Sequence, residues 1–172
     1  AARQLGVMHP PGYPAFILLG RLALLIPAGA PEFRLSLLAA ALAAGAACAL
    51  FGLWRAAVPH DSARADGVGW AACLLAALTT GVWAQATTAK GGVYALNALL
   101  AFGALALSWS GARGAAGAWL AAGLAVSNHW MSALGLLPAL ALAGWRAGRA
   151  GTGRAHLYLH SHLRPHGPRT SS

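Results

Sequence analysis

Acidic side chains are almost missing from this chain: Glu32, Asp61 and Asp66 are the three among 172 residues. Lysine is scarcer still, with Lys90 alone, and charged residues of all kinds make up 9%. A water-soluble domain of this length needs a far more charged surface, so a soluble globular fold is excluded. The two cysteines, Cys48 and Cys73, fall inside apolar runs without CxxC spacing or a nearby histidine partner, and are expected to be buried thiols. No phosphate-binding glycine loop, nucleophile elbow or HExxH motif occurs. The opening AARQLG lacks a methionine and is not followed by a signal-peptide pattern, so the chain is expected to be a piece of a longer protein.

What is abundant is apolar surface, 58% of the residues, together with a net charge of +9. The arginines lie at the ends of apolar runs and in the tail, a membrane-topology pattern rather than a nucleic-acid-binding face, and no nucleic acid partner is expected. A spanning helix needs about 20 apolar residues. Residues 35 to 54, 68 to 86 and 93 to 109 meet that need. The stretch 115 to 145 is too long for one ordinary span, and Ser127, Asn128 and His129 interrupt it. It is expected to form two short helices, 115 to 127 and 130 to 145, meeting at that polar break. Small residues crowd every segment, as helix packing in lipid prefers. Tryptophans at 54, 70, 83, 109, 119 and 145 lie mostly near span ends, where an aromatic belt is the ordinary reading. The domain reading is therefore a first outer loop over 1–34, a transmembrane bundle over 35–145, and a basic tail rich in His and Gly over 146–172, expected to be disordered.

If these segments alternate in direction, Arg55 and Arg64, Arg113, and Arg146, Arg149 and Arg154 fall on one side. By the positive-inside rule that side is cytoplasmic. His9, the Pro10-Pro11 pair, Tyr13, Glu32, Arg34, Gln85, Lys90, Tyr94, Asn128 and His129 then gather at the opposite, extracytoplasmic side, as in an outward-facing active site or a transport vestibule. Asp61 and Asp66 fall inside. Residues 15 to 29 carry Arg21 mid-run and close at Pro27, too soon to cross. They are expected to form a helix lying in the outer interface.

GVMHPPGYPAFILLGRL, FRLSLLAAALAA, WAQATTAKGGVYALNALL and LAVSNHWMSALGLLPAL occur in an order and spacing that resemble a bacterial membrane family, first catalogued as a domain of unknown function and related to protein O-mannosyltransferase-like glycosyltransferases of the GT-C fold. The resemblance covers about residues 1 to 145, and HPPGYP is its most specific block. It implies an all-α, polytopic, GT-C-like helix bundle in a bacterial inner membrane, active outside the cytoplasm, which takes a sugar from a polyprenyl-phosphate carrier and passes it to a protein hydroxyl or a glycan. It also implies an acidic catalytic motif in the first outer loop, upstream of residue 1. VMHPPGYPAF would be the remainder of that loop, its prolines turning the chain along the interface. Many relatives have Glu before the Val-Tyr pair where this chain has Lys90-Gly91-Gly92, and Asn where it has Ser36.

Candidate substrate-binding residues are His9, Tyr13, Arg34, Lys90, Tyr94, Asn128 and His129. Arg34 and Lys90 suit a carrier phosphate, the first through its forked donors and the second as a point charge. Asn128 and His129, at a helix break inside a bundle, need hydrogen-bond partners whether or not they line a site. Glu32 is expected to pair with Arg34 at the surface. His156, His160, His162 and His166 tempt a metal assignment, but Gly and Pro surround them and no acid or Cys supports them, so neither metal nor cofactor is expected. The alternative to an enzyme is a transporter or nonenzymatic membrane subunit using the same polar face as a vestibule.

Overall fold

The computed structural model describes residues 13–58, 63–88, 90–109 and 112–137, with positions 140, 141, 144, 145 and 148. Among the described residues the regular structure is all helical, without strands: α1 Pro14–Ala23, α2 Pro31–Ala57, α3 Ala63–Ala77, α4 Thr80–Ala86, α5 Gly92–Trp109 and α6 Ala112–Leu134. His9 and nearly all of the 146–172 tail, including its four histidines, lie outside the described residues.

Proline opens both of the first two helices. Pro14 and Pro31 stand in the first helical turn, where a missing N–H costs nothing and the fixed φ is already helical. Glu32 in the first turn of α2 and Arg55 in its last complement the helix dipole. With 27 residues α2 is the longest element. Its 21 steps from Arg34 to Arg55 cover about 32 Å, close to the thickness of a bilayer core.

By length and composition α2 and α5 can each cross a membrane, and α3 with α4 makes a third span if the bent pair counts as one. The expected single helix over 68–86 is corrected here: α3 and α4 meet at 68°. The cause lies at Thr79, whose hydroxyl donates to the Ala76 carbonyl (2.9 Å) and whose backbone is extended before α4 begins. A side chain that takes a carbonyl from the helix's own ladder ends the helix there.

Residues 115 to 145 break where the polar triplet was expected to break them: α6 is two helical stretches joined across a kink at His129 (φ −154°, ψ 85°). Beyond it, Leu140 packs back on Ala104 of α5 and Ala122 of α6.

The most extensive interface is α2 on α5, followed by α5 on α6. Ala39, Ala104 and Ala125 are wholly buried, so the backbones approach closely. Phe16, Leu42, Val93, Ala95 and Leu96 form a core where α1, α2 and α5 meet. Two glycines make that junction possible. A Cβ on Gly92 would stand 2.4 Å from the Phe16 ring, and one on Gly91 would overlap the Gln85 carbonyl. Outward, Leu18, Leu22, Leu37, Leu75, Leu78, Trp83, Trp119 and Leu120 are all more than half exposed. Such a surface belongs in lipid or against further protein, not in water.

Candidate functional site

The site forms where the start of α1, the first turns of α5 and the kink of α6 come together. Tyr13 precedes α1 in the left-handed conformation (φ 62°). Its ring lies parallel to the His129 imidazole, with centroids 5.7 Å apart and planes within 2°. Tyr94, in the first turn of α5, approaches the same imidazole from a second direction at 5.5 Å. Three of the expected residues thus make one aromatic cluster, with Tyr94 42% exposed and accessible to a ligand.

Beneath it is a buried amide network. Asn128, 1% exposed, accepts from the Phe16 backbone N–H at 3.1 Å and donates to the Val93 carbonyl at 3.1 Å and to Asn97 Oδ1 at 3.3 Å. Phe16 is among the first residues of α1, where N–H groups have no partner within the helix, and α1 has no side-chain cap of its own. Asn128 therefore acts as a cap supplied from 112 residues away. Asn97, 4% exposed, donates in turn to the His129 carbonyl at 3.3 Å. Sequence reasoning did not single out Asn97. Its signal was present: an asparagine within an apolar run, three residues after Tyr94 and so on nearly the same face of α5.

Arg34 points elsewhere. Its guanidinium donates to the carbonyls of Leu24 and Ile26, both at 2.7 Å, and of Gly29 at 3.1 Å. Leu24 caps the end of α1 and Ile26 and Gly29 lie in the loop that follows, and a planar fork reaches all three carbonyls at once. The expected ion pair with Glu32 does not form; the described ion pair is Arg55 with Asp66, at 3.5 Å and largely exposed. These donors fasten the loop after α1 to the first turn of α2. Lys90 sits exposed on the turn before α5, its carbonyl accepting from the Val93 N–H (3.3 Å), one helical turn from Tyr94.

A cavity of about 320 Å³ lies between α2, α3, α4 and α5. Alanines of α2, α3 and α5 line most of it, with Leu50, Phe102 and Cys73, while Gln85 and Tyr94 give it a polar edge. Tyr94 thus borders both the cavity and the aromatic cluster. Among the described residues no three His, Cys, Asp or Glu side chains gather as metal ligands.

The family model of the protein O-mannosyl-transferase TMEM260 N-terminal domain matches residues 1–149. The chain belongs to that family. Within it, a stretch of 52 residues is 50% identical to the mouse (Mus musculus) protein O-mannosyl-transferase TMEM260, covering 30% of this chain and 7% of that relative. The matched piece is thus a small part of the relative's length. No solved structure matches this TMEM260-family chain. Family and apolar helices together make it a membrane protein.

Proposed function

We propose that this chain is part of an integral membrane glycosyltransferase of GT-C fold that transfers a sugar, mannose or another hexose, from a polyprenyl-phosphate carrier to an extracytoplasmic acceptor, a protein hydroxyl or a glycan. The observation that carries the reading is the convergence of Tyr13, Tyr94 and His129 at one end of a membrane helix bundle, in a chain of an O-mannosyl-transferase family. Aromatic faces suit the apolar faces of a sugar ring. Lys90, one turn away and exposed, suits the carrier phosphate, whose negative charge grows as the sugar leaves. A carboxylate that activates the acceptor is expected from the segment upstream of residue 1. In this reading the end of the bundle bearing the cluster faces outward in a bacterial inner membrane, which the positive-inside rule supports through Arg55 in the last turn of α2 and Arg64 in the first turn of α3. α1, with 10 residues, is too short to span, and its exposed Leu18 and Leu22 fit a helix resting in the outer interface. The alanine-rich lining of the cavity counts against a transporter, since a hydrophilic solute needs polar groups along its path.

Transfer from a carrier-linked sugar by the full-length protein tests this. Removing a cation from a partly desolvated phosphate site costs about 1.5 to 3 kcal/mol. Lys90→Ala is therefore expected to lower turnover roughly ten- to hundredfold. His129→Ala is expected to fall at least as far, while Arg113→Ala at the cytoplasmic end leaves turnover unchanged. Full activity in well-folded Lys90→Ala and His129→Ala proteins would place sugar phosphate binding elsewhere.

A further inference from the structure

The chain contains two asparagines, Asn97 and Asn128, and the fold buries both and bonds them to one another. We propose that Asn97 is a positioning residue for His129, setting the angle at which the imidazole stands between Tyr13 and Tyr94. The inference rests on the reading of that cluster as the sugar-contacting surface.

The argument begins at the kink. A residue with φ −154° and ψ 85° inside α6 turns its peptide out of the helical hydrogen-bond ladder. A carbonyl displaced in this way within an apolar bundle needs a donor, and Asn97 Nδ2 supplies it at 3.3 Å. The opposite end of the same amide is fixed, because Asn97 Oδ1 accepts from Asn128 Nδ2. Asn128 in turn holds the Phe16 N–H and the Val93 carbonyl. The amides form a chain from the first turn of α1, through Asn128 and Asn97, to the His129 carbonyl. Each member polarises the next. The chain connects the three elements that contribute the aromatic cluster: Tyr13 lies three residues before Phe16, Tyr94 is next to Val93, and His129 is next to Asn128. A kink without Asn97 would let α6 regain a regular helix, and the imidazole would swing about the helix axis away from the tyrosines.

Full-length protein in lipid nanodiscs provides the test, with Asn97→Leu, similar in shape but without polar atoms, and with Asn97→Ala, whose smaller side chain leaves room for water at the His129 carbonyl should the leucine variant not fold. The ring-proton resonance of His129, identified by its loss in His129→Gln, is shifted by the ring currents of the two tyrosines. That shift is expected to disappear in the Asn97 variants. Turnover is expected to fall about tenfold or more, because a small misplacement of a contacting group is costly. In a His129→Ala background, Asn97→Leu is expected to lower turnover by no more than about twofold further, since residues acting through one another are not additive. A ring shift unchanged in the folded Asn97 variants overturns the proposal, as do fully additive losses in the His129→Ala background. A lost shift with normal turnover in every variant, His129→Ala included, leaves the positioning role standing and defeats the sugar-site reading instead.

Discussion

Asn128 shows at the level of one residue how a polar group survives inside this bundle. Its amide meets three partners, so removing it leaves a donor and two acceptors buried without it. Asn128→Leu is expected to destabilise the protein by about 1 to 3 kcal/mol, read as an earlier midpoint in detergent unfolding. Ser127→Ala next door is the contrast: its hydroxyl is exposed and donates to the Leu124 carbonyl of its own helix at 2.9 Å, and its loss is expected to be nearly silent. Arg34→Lys belongs with these residue effects. A lysine ammonium cannot present the fork that reaches Leu24, Ile26 and Gly29, so hydrogen exchange is expected to quicken in the loop between α1 and α2. The sequence already marked Asn128 and His129 as groups needing partners, since polar side chains interrupt an apolar run there. It did not mark what Arg34 would grip, because backbone carbonyls at a helix end leave no trace in residue identity.

Among the elements, α2 and α5 were legible because uninterrupted apolar length is a direct physical requirement for crossing lipid. The bend between α3 and α4 was not, although Thr79-Thr80-Gly81 stood in the middle of the run. Hydropathy averages over such a triplet, whereas the hydroxyl of Thr79 acts on one carbonyl. The break at the polar triplet of α6 was legible; its support was not, because the hydrogen bond to the kinked His129 carbonyl comes from α5, a long-range fact. Glycine provides a graded test of how elements meet. Gly91→Ala and Gly92→Ala force a methyl group into Gln85 backbone and Phe16 ring, respectively, and each is expected to cost about 1 to 3 kcal/mol or more. Gly52→Ala and Gly103→Ala meet nothing within 4 Å and are expected to be neutral or stabilising by up to about 1 kcal/mol, measured by the same unfolding midpoint.

For the whole molecule, orientation is the property on which the proposed chemistry depends. With Cys48 and Cys73 replaced, single cysteines at positions 32 and 90 are expected to react with a membrane-impermeant maleimide added outside intact cells, and one at position 64 to stay unlabelled. The reverse pattern would turn the aromatic cluster toward the cytoplasm and away from an outer-leaflet sugar carrier. Because the match covers 7% of the mouse relative, the 172 residues alone are expected to transfer no sugar and the full-length protein is expected to do so; activity in the shorter one would point to Glu32, the acid described nearest the proposed outer end. The capping bond from Asn128 to Phe16 also imposes an order in time. A ribosome adds roughly 5 to 20 residues each second, so the 112 residues between the two partners separate their emergence by about ten seconds. Throughout that interval the beginning of α1 has left the ribosome without the amide that completes it. Nascent chains arrested before residue 128 should therefore be cut readily by a protease near Pro14, and those arrested well beyond it should resist, making closure of the aromatic cluster a late checkpoint of biosynthesis rather than an early one.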